Sequence, residues 1–321
     1  MKKKDEMKRF IFVIGERSNI FWNRLIILLI ALLFWLPSIS QSQSIALSFD
    51  DGFDPRNQPL ASSWNRSILE ALSNAQIKSI LFPAGKRVDS PAGLRLVRDW
   101  GKAGHAVANH TYSHLNFCSE NTTLEQFILD TEKNETLLKG LPGWTKRLRF
   151  PYLKEGETIS KRDGFRSWLT DYGYKSGAVS IDASDWYYNK RYLAWRVSHP
   201  DDDPSPLRTA YLNHLWNRAT YYDSLSKRIL KRSVKHVLLL HTKAINASFL
   251  PDIIAMFRSR GWEFISPEEA YEDPVYAITP MVLPAGESIL WALAKQNGLN
   301  GLRYPAESDV YEKPLLDKLG L

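Results

Sequence analysis

The sequence predicts an α/β fold, a distorted or incomplete (β/α) barrel of about seven parallel strands, and three observations predict it. Short β-branched or apolar runs recur at about 30-residue intervals after residue 44. Stretches of helical period lie between most of them, which calls for crossover connections and parallel pairing. The runs are apolar without clean alternation, as strands buried on both faces are. Together these favour a barrel over an open doubly wound sheet, the structural competitor.

The strand runs are residues 45–49, 78–82, 105–108, 147–150, 176–181, 234–240 and 262–265. The helical stretches are 62–73, 91–102, 122–138, 160–172, 206–231 and 249–258. Start signals mark some of them, such as Thr122-Thr123 with Glu125, and Ser160 before Lys161. Gly101, Gly104, Gly140 and Gly261 stand near ends, where a left-handed residue is wanted. Two stretches depart from the repeat. The connection 186–234 is the longest and contains the turn-rich run from His199 to Pro204. Residues 273–321 follow the last strand and include a helix over 288–297, stopped by Gly298. This divides the chain into a leader (1–43), a barrel domain (44–272) and a C-terminal extension (273–321) expected to pack on the barrel.

Of the 321 residues, 44% are apolar and 24% charged, which excludes a disordered or low-complexity chain. The net charge of +7 is uneven: residues 1–44 contribute +4, and the remainder only +3. A folded part so nearly neutral argues against a nucleic-acid partner. Residues 25–36 are twelve unbroken apolar residues behind a basic region, ended by Pro37. A spanning helix needs about 20, so the run reads as a signal peptide, with Ser38-Ile39-Ser40 as cleavage site. Membrane attachment through 25–36 is the alternative. Either way the rest is expected to be exported, periplasmic or secreted. Cys118 stands alone, so stability outside the cytosol must come without an internal disulfide.

The chemistry-bearing residues follow strand ends, where parallel α/β folds build their sites. Asp50-Asp51-Gly52, His110 to His114, Arg149-Phe150-Pro151-Tyr152, Asp182 to Trp186, and His241 each stand in that place. Singly, each has a plain explanation: a turn, a chance His pair, a strand stopped by proline, a core histidine. As a set they bring acid, base and ligand groups to one rim, which indicates a metal-dependent hydrolytic site. His-x-x-x-His puts two imidazoles on one face of a helical turn, within reach of one ion. Two imidazoles and a carboxylate leave an open position on a tetrahedral metal. A second, adjacent carboxylate facing the water takes its proton, and an Arg beside it is expected to lower its pKa. A separate His protonates the leaving group.

At these residues the sequence resembles the polysaccharide deacetylases, carbohydrate esterase family four, over roughly residues 44–267, with all five family motifs in order. Ser48-Phe49-Asp50-Asp51-Gly52 matches T/S-F-D-D-G, and His110 and His114 match H-S/T-x-x-H. Arg149-Phe150-Pro151-Tyr152 matches R-x-P-Y/F, Asp185-Trp186 the fourth motif, and Leu239-Leu240-His241 the L-x-H motif. The resemblance implies Asp50 as catalytic base, Asp51, His110 and His114 as metal ligands, and His241 as general acid. It implies that Arg149 orients the base, that Asp185 tunes His241, that the Tyr152 backbone N–H helps hold the oxyanion, and that Trp186 lines the groove. Phe53 stands where Pro is common in the family. Tyr112, Tyr152, Trp186, Tyr187 and Tyr188 are expected on rim loops, where flat rings stack on sugars; His105, His199, His214 and His236 are expected to be structural or exposed.

The activity so implied is removal of acetyl groups from an N-acetylated sugar polymer or oligomer with a divalent metal, zinc first and Co²⁺, Ni²⁺ or Fe²⁺ as alternatives. An O-acetyl carbohydrate esterase, a non-catalytic glycan-binding barrel and a hydrolase of small amides are the competing readings.

Overall fold

The computed structural model describes residues 43–303 and 310–321. The predicted leader, with its apolar run at 25–36, lies outside the described residues apart from Gln43. Among the described residues no helix is long and apolar enough to cross a membrane.

In chain order these residues form β1 (Ser44–Asp51), α1 (Ala61–Asn74), β2 (Ile80–Pro83), α2 (Gly85–Val88), α3 (Pro91–Lys102), β3 (Ala106–Asn109) and α4 (Leu124–Leu138). Then come β4 (Trp144–Leu148), a 3-10 turn (Pro151–Leu153), β5 (Lys154–Gly156), α5 (Ile159–Asp171), β6 (Lys175–Ser176), α6 (Asp185–Ser198) and α7 (Ser205–Leu230). The rest are β7 (Lys235–His241), α8 (Ala244–Ser259), β8 (Glu263–Phe264), α9 (Pro267–Ala270), a 3-10 turn (Pro274–Ala277), β9 (Ala285–Gly286), α10 (Ile289–Gln296) and α11 (Lys313–Lys318).

Seven strands form one parallel sheet in the order β6-β4-β3-β2-β1-β7, with β8 beside the start of β1. The predicted fold class is therefore observed. β1 is the centre: Ile45, Leu47 and Phe49 are fully buried, and β1 pairs with β8 at Ser44 and Ile45 but with β2 from Ser48 onward. Its register with β7 sets Asp50 opposite His241, so two groups far apart in sequence meet at one sheet end.

The fifth predicted strand, 176–181, differs. Only Lys175 and Ser176 pair with β4; the chain then crosses to the other sheet edge, where Ile181 bridges Leu238 of β7. Gly177 allows the crossing, because a Cβ there would lie 2.6 Å from the Leu148 carbonyl oxygen and 2.8 Å from the Phe82 ring. The seam closes the curl of the sheet, and it sends Asp182 to Trp186 toward the same mouth as β1 and β7.

The long connection 186–234 is two helices, α6 and α7, around the turn at 199–204. The helix α6 escapes a hydrophobic-period search because its inward face is Tyr187, Tyr188 and Tyr192, residues also at home in strands. Helix starts also shift. Thr123 with Gln126 forms the capping box of α4, and Thr158 caps α5 in place of Ser160. Between α4, α5 and β4, Phe117, Phe127, Phe150, Phe165 and Trp168 form a separate aromatic core. It fixes the chain on either side of Arg149. Past the last parallel strand, β9 pairs antiparallel with β5, and α10 packs on α7 with all of Ile289–Ala294 buried.

Candidate metal and catalytic site

Neighbouring strand residues point to opposite sheet faces, yet both Asp50 and Asp51 reach the same mouth. Asp51 ends β1 with a left-handed backbone (φ 84°), followed by Gly52 (φ 79°), and this turn brings its carboxylate round. A Cβ on Gly52 would lie 2.5 Å from Val88 Cγ1, so the turn also needs glycine for space.

His110 follows β3, and its Nδ1–H donates to the Arg149 carbonyl oxygen at 2.8 Å. That fixes the tautomer with Nε2 free to ligate. The expected helical turn from His110 to His114 is absent. A loop with left-handed Thr111 (φ 59°) and His114 (φ 58°) brings the rings to a centroid distance of 4.9 Å. Asn109 anchors that loop by accepting from the Thr111 N–H at 2.9 Å and donating to the Thr131 carbonyl.

One ligand atom each from Asp51, His110 and His114 lies within 4.8 Å of the others. Asp51 Oδ1 is buried with no hydrogen-bond partner, 3.5 Å from His114 Nε2. An unpartnered buried carboxylate oxygen is costly unless a cation meets it. Burial drives both imidazoles down to pKa values of about 3, so they are neutral donors. This donor set fits a divalent metal with an open position.

Asp50 stands on the other side of His110, with Oδ2 3.6 Å from Nε2. The fully buried Arg149 guanidinium donates to Asp50 Oδ1 at 2.8 Å, to Ser48 Oγ at 3.0 Å and to the Tyr271 hydroxyl at 3.3 Å, over the face of Phe82. Arg149 pulls the Asp50 pKa down as expected, but it does not set the net value. Burial outweighs the attraction of Arg149 and His241 and lifts Asp50 to about 6. Asp51 is equally buried, but Lys243, Arg87, His241 and His114 outweigh its burial and hold it well below the usual carboxylate range.

His241 ends β7. Its Nδ1 meets Asp185 Oδ1 at 2.6 Å, and its backbone N–H donates to Asp185 Oδ2 at 2.7 Å. Asn246 donates to that same Oδ2 and to the His241 carbonyl oxygen. Burial alone would lower the His241 pKa, but the Asp185 charge and hydrogen bond, helped by Asp51, raise it to about 9.

These groups line a cavity of about 390 Å³, with Trp186 and the half-exposed Tyr152 at its rim. Tyr152 is left-handed (φ 56°) and sets its ring edge-on to His114 at 4.6 Å. The other expected aromatics go elsewhere. Tyr112 lines an adjoining groove that His114 and Tyr152 border as well, its hydroxyl on Asp89 and its ring beneath Lys133. Tyr187 and Tyr188 belong to the core side of α6, and Tyr188 stacks on His214. His105, His214 and His236 are buried and His199 is exposed. Sequence reasoning missed Lys243, Arg87 and Asn246. The first two reach Asp51 from the ends of β7 and β2, and only the tertiary meeting of those ends reveals them.

Residues 39–174 match the polysaccharide deacetylase family. Over those residues the protein is similar to a polysaccharide deacetylase domain. A peptidoglycan-N-acetylglucosamine deacetylase of Bacillus cereus is 29% identical over 143 residues, which is 44% of this chain and 46% of that protein. The chain thus spans about half the length of that relative. A second such B. cereus enzyme is 26% identical over 240 residues, 70% of this chain and 86% of that one. Among solved structures, the catalytic domain of a peptidoglycan N-acetylglucosamine deacetylase from Eubacterium rectale aligns with a TM-score of 0.50 at 19% identity, covering 71% of this chain and 89% of that one. A family 4 pseudoenzyme from Bacillus anthracis aligns at 0.51 and 15% identity, covering 72% and 66%. These likenesses establish the fold alone. Since one belongs to a pseudoenzyme, the chemistry must be argued from the side chains.

Proposed function

We propose that the protein is a metal-dependent deacetylase of an N-acetylated glycan, hydrolysing the acetamido C–N bond and releasing acetate. One observation carries this reading: Asp50, Asp51, His110, His114 and His241 line a single cavity, and the buried Asp51 Oδ1 has no protein partner. When bound, a divalent cation polarises water and the acetyl carbonyl. Zinc suits His₂Asp ligation best, with Co²⁺, Ni²⁺ or Fe²⁺ as alternatives.

Asp50, with a pKa near 6, is poised to accept the proton of the attacking water near neutral pH. Arg149 holds Asp50 in place and leaves Oδ2 toward the cavity. His241, raised to about 9, is protonated at neutral pH and donates to the departing nitrogen. Asp185 stabilises the imidazolium, and Asn246 holds Asp185. Trp186 and Tyr152 offer flat apolar faces for a pyranose ring.

The relatives' names put peptidoglycan first among candidate substrates. The basic-then-apolar leader supports an exported enzyme. Purified protein is expected to release acetate from peptidoglycan or N-acetylglucosamine oligomers faster than from acetylxylan, and Asp50→Asn and His241→Ala are expected to slow that release severely. Preference for acetylxylan would make it an O-acetyl esterase. Release unaltered in both variants, or glycan binding without turnover, would refute the mechanism.

A further inference from the structure

The outer oxygen of Asp51 is already taken. Lys243 Nζ lies 2.8 Å from Oδ2 and an Arg87 guanidinium nitrogen 3.6 Å from it. The fold imposes this. Lys243 is the extended residue (φ −128°, ψ 159°) that joins β7 to α8, two positions past His241, and its side chain is only 18% exposed. Among the described residues it has no second acidic partner. Arg87 comes from α2 at the end of β2 and is 39% exposed.

Of the three metal ligands, Asp51 alone brings negative charge. A cation on its second oxygen draws on that charge and also faces the incoming ion across a few ångströms of poorly screened space, where like charges repel well above thermal energy. Asp50 offsets little of this, because Arg149 neutralises it from the buried side. We infer that Lys243 is a built-in competitor for the metal: its ammonium keeps Asp51 aligned in the metal-free protein and holds the affinity of the loaded site down, so that the ion is exchangeable. The inference rests on the metal reading of Asp51, His110 and His114. Arg87, farther away and more exposed, contributes in the same direction but less.

A role limited to orientation makes the opposite prediction, and two variants separate them. Lys243→Gln keeps an N–H donor without the charge; Lys243→Met removes both. The full-length protein, stripped of metal, is titrated with Zn²⁺ against a chromophoric chelator, with Lys175→Gln at the far end of the sheet as a charge-matched control. Competition predicts Zn²⁺ binding tighter by about tenfold in both Lys243 variants, about 1.4 kcal/mol. Arg87→Gln is expected to give a smaller gain, and the control none. Wild-type or weaker affinity in both Lys243 variants would overturn the inference alone. Failure of all five proteins to bind Zn²⁺ would overturn the metal reading itself, and this inference with it.

Discussion

The two flanks of the cavity are built by opposite means. On the metal flank, Asp51, Thr111, His114 and Tyr152 all have left-handed backbones, and both histidine ligands hang from a loop. On the acid flank, His241 completes a regular strand, Asp185 opens a helix, and four hydrogen bonds from His241 and Asn246 close around them. Ligand positions on the first flank depend on unfavourable backbone conformations held by surrounding packing. The proton donor on the second depends on a satisfied polar network. Damage on the metal flank should therefore remove the ion, and damage on the acid flank should leave the ion and slow the chemistry.

The largest expected effect is on the metal flank. His110→Ala and Asp51→Asn should each lose stoichiometric Zn²⁺ by elemental analysis and with it detectable acetate release; retained metal would erase the distinction between the flanks. On the acid flank, His241→Ala should keep wild-type metal content while turnover drops about 10²- to 10⁴-fold, the usual reach of a general acid. Asp185→Asn should lose less. Since Asp185 raises the His241 pKa, the alkaline fall in activity, expected near pH 9 in the wild type, should move to lower pH in that variant. An unmoved limb would separate Asp185 from the proton donor.

Tyr271→Phe removes the hydroxyl that accepts one hydrogen bond from Arg149. A single such bond contributes about 0.5–1.5 kcal/mol, so turnover should fall about two- to tenfold with metal content unchanged.

The smallest effect on turnover is expected outside both flanks. Buried His105 accepts a hydrogen bond from the Ser79 N–H, and burial, with the nearby Lys78 charge, lowers its pKa to about 4. The unfolded chain binds that proton near pH 6.5, so His105 is neutral and without effect above that pH. Stability is lost as pH falls from there toward 4, at up to about 1.4 kcal/mol per pH unit. Denaturant titrations across that range should show the slope, and His105→Gln should reduce it by that one group's share while leaving activity at pH 7 intact.

Much of this was legible in advance for reasons that are local. Strand spacing, the Thr123 start of α4 and the Gly298 stop of α10 are written within a few residues of where they act. The types and order of Asp50, Asp51, His110, His114, Arg149, Asp185 and His241 likewise belong to short stretches at strand ends. Other features were illegible because they depend on distant neighbours. Tyr187 and Tyr188 looked like rim aromatics until the helical turn of α6 directed them inward. The pair at 110 and 114 looked helical until two left-handed residues replaced the turn.

The sequence by itself determined the barrel, its polar rim and the candidate reacting groups, because periodicity and turn chemistry act over a handful of bonds. Tertiary structure alone decided that Asp50 is raised and Asp51 lowered, that Lys243 and Arg87 share the outer oxygen of Asp51, and that Tyr112 faces a different groove. Burial and charge separation are set by which segments meet in space, and residues 51 and 243 become neighbours only when β1 pairs with β7.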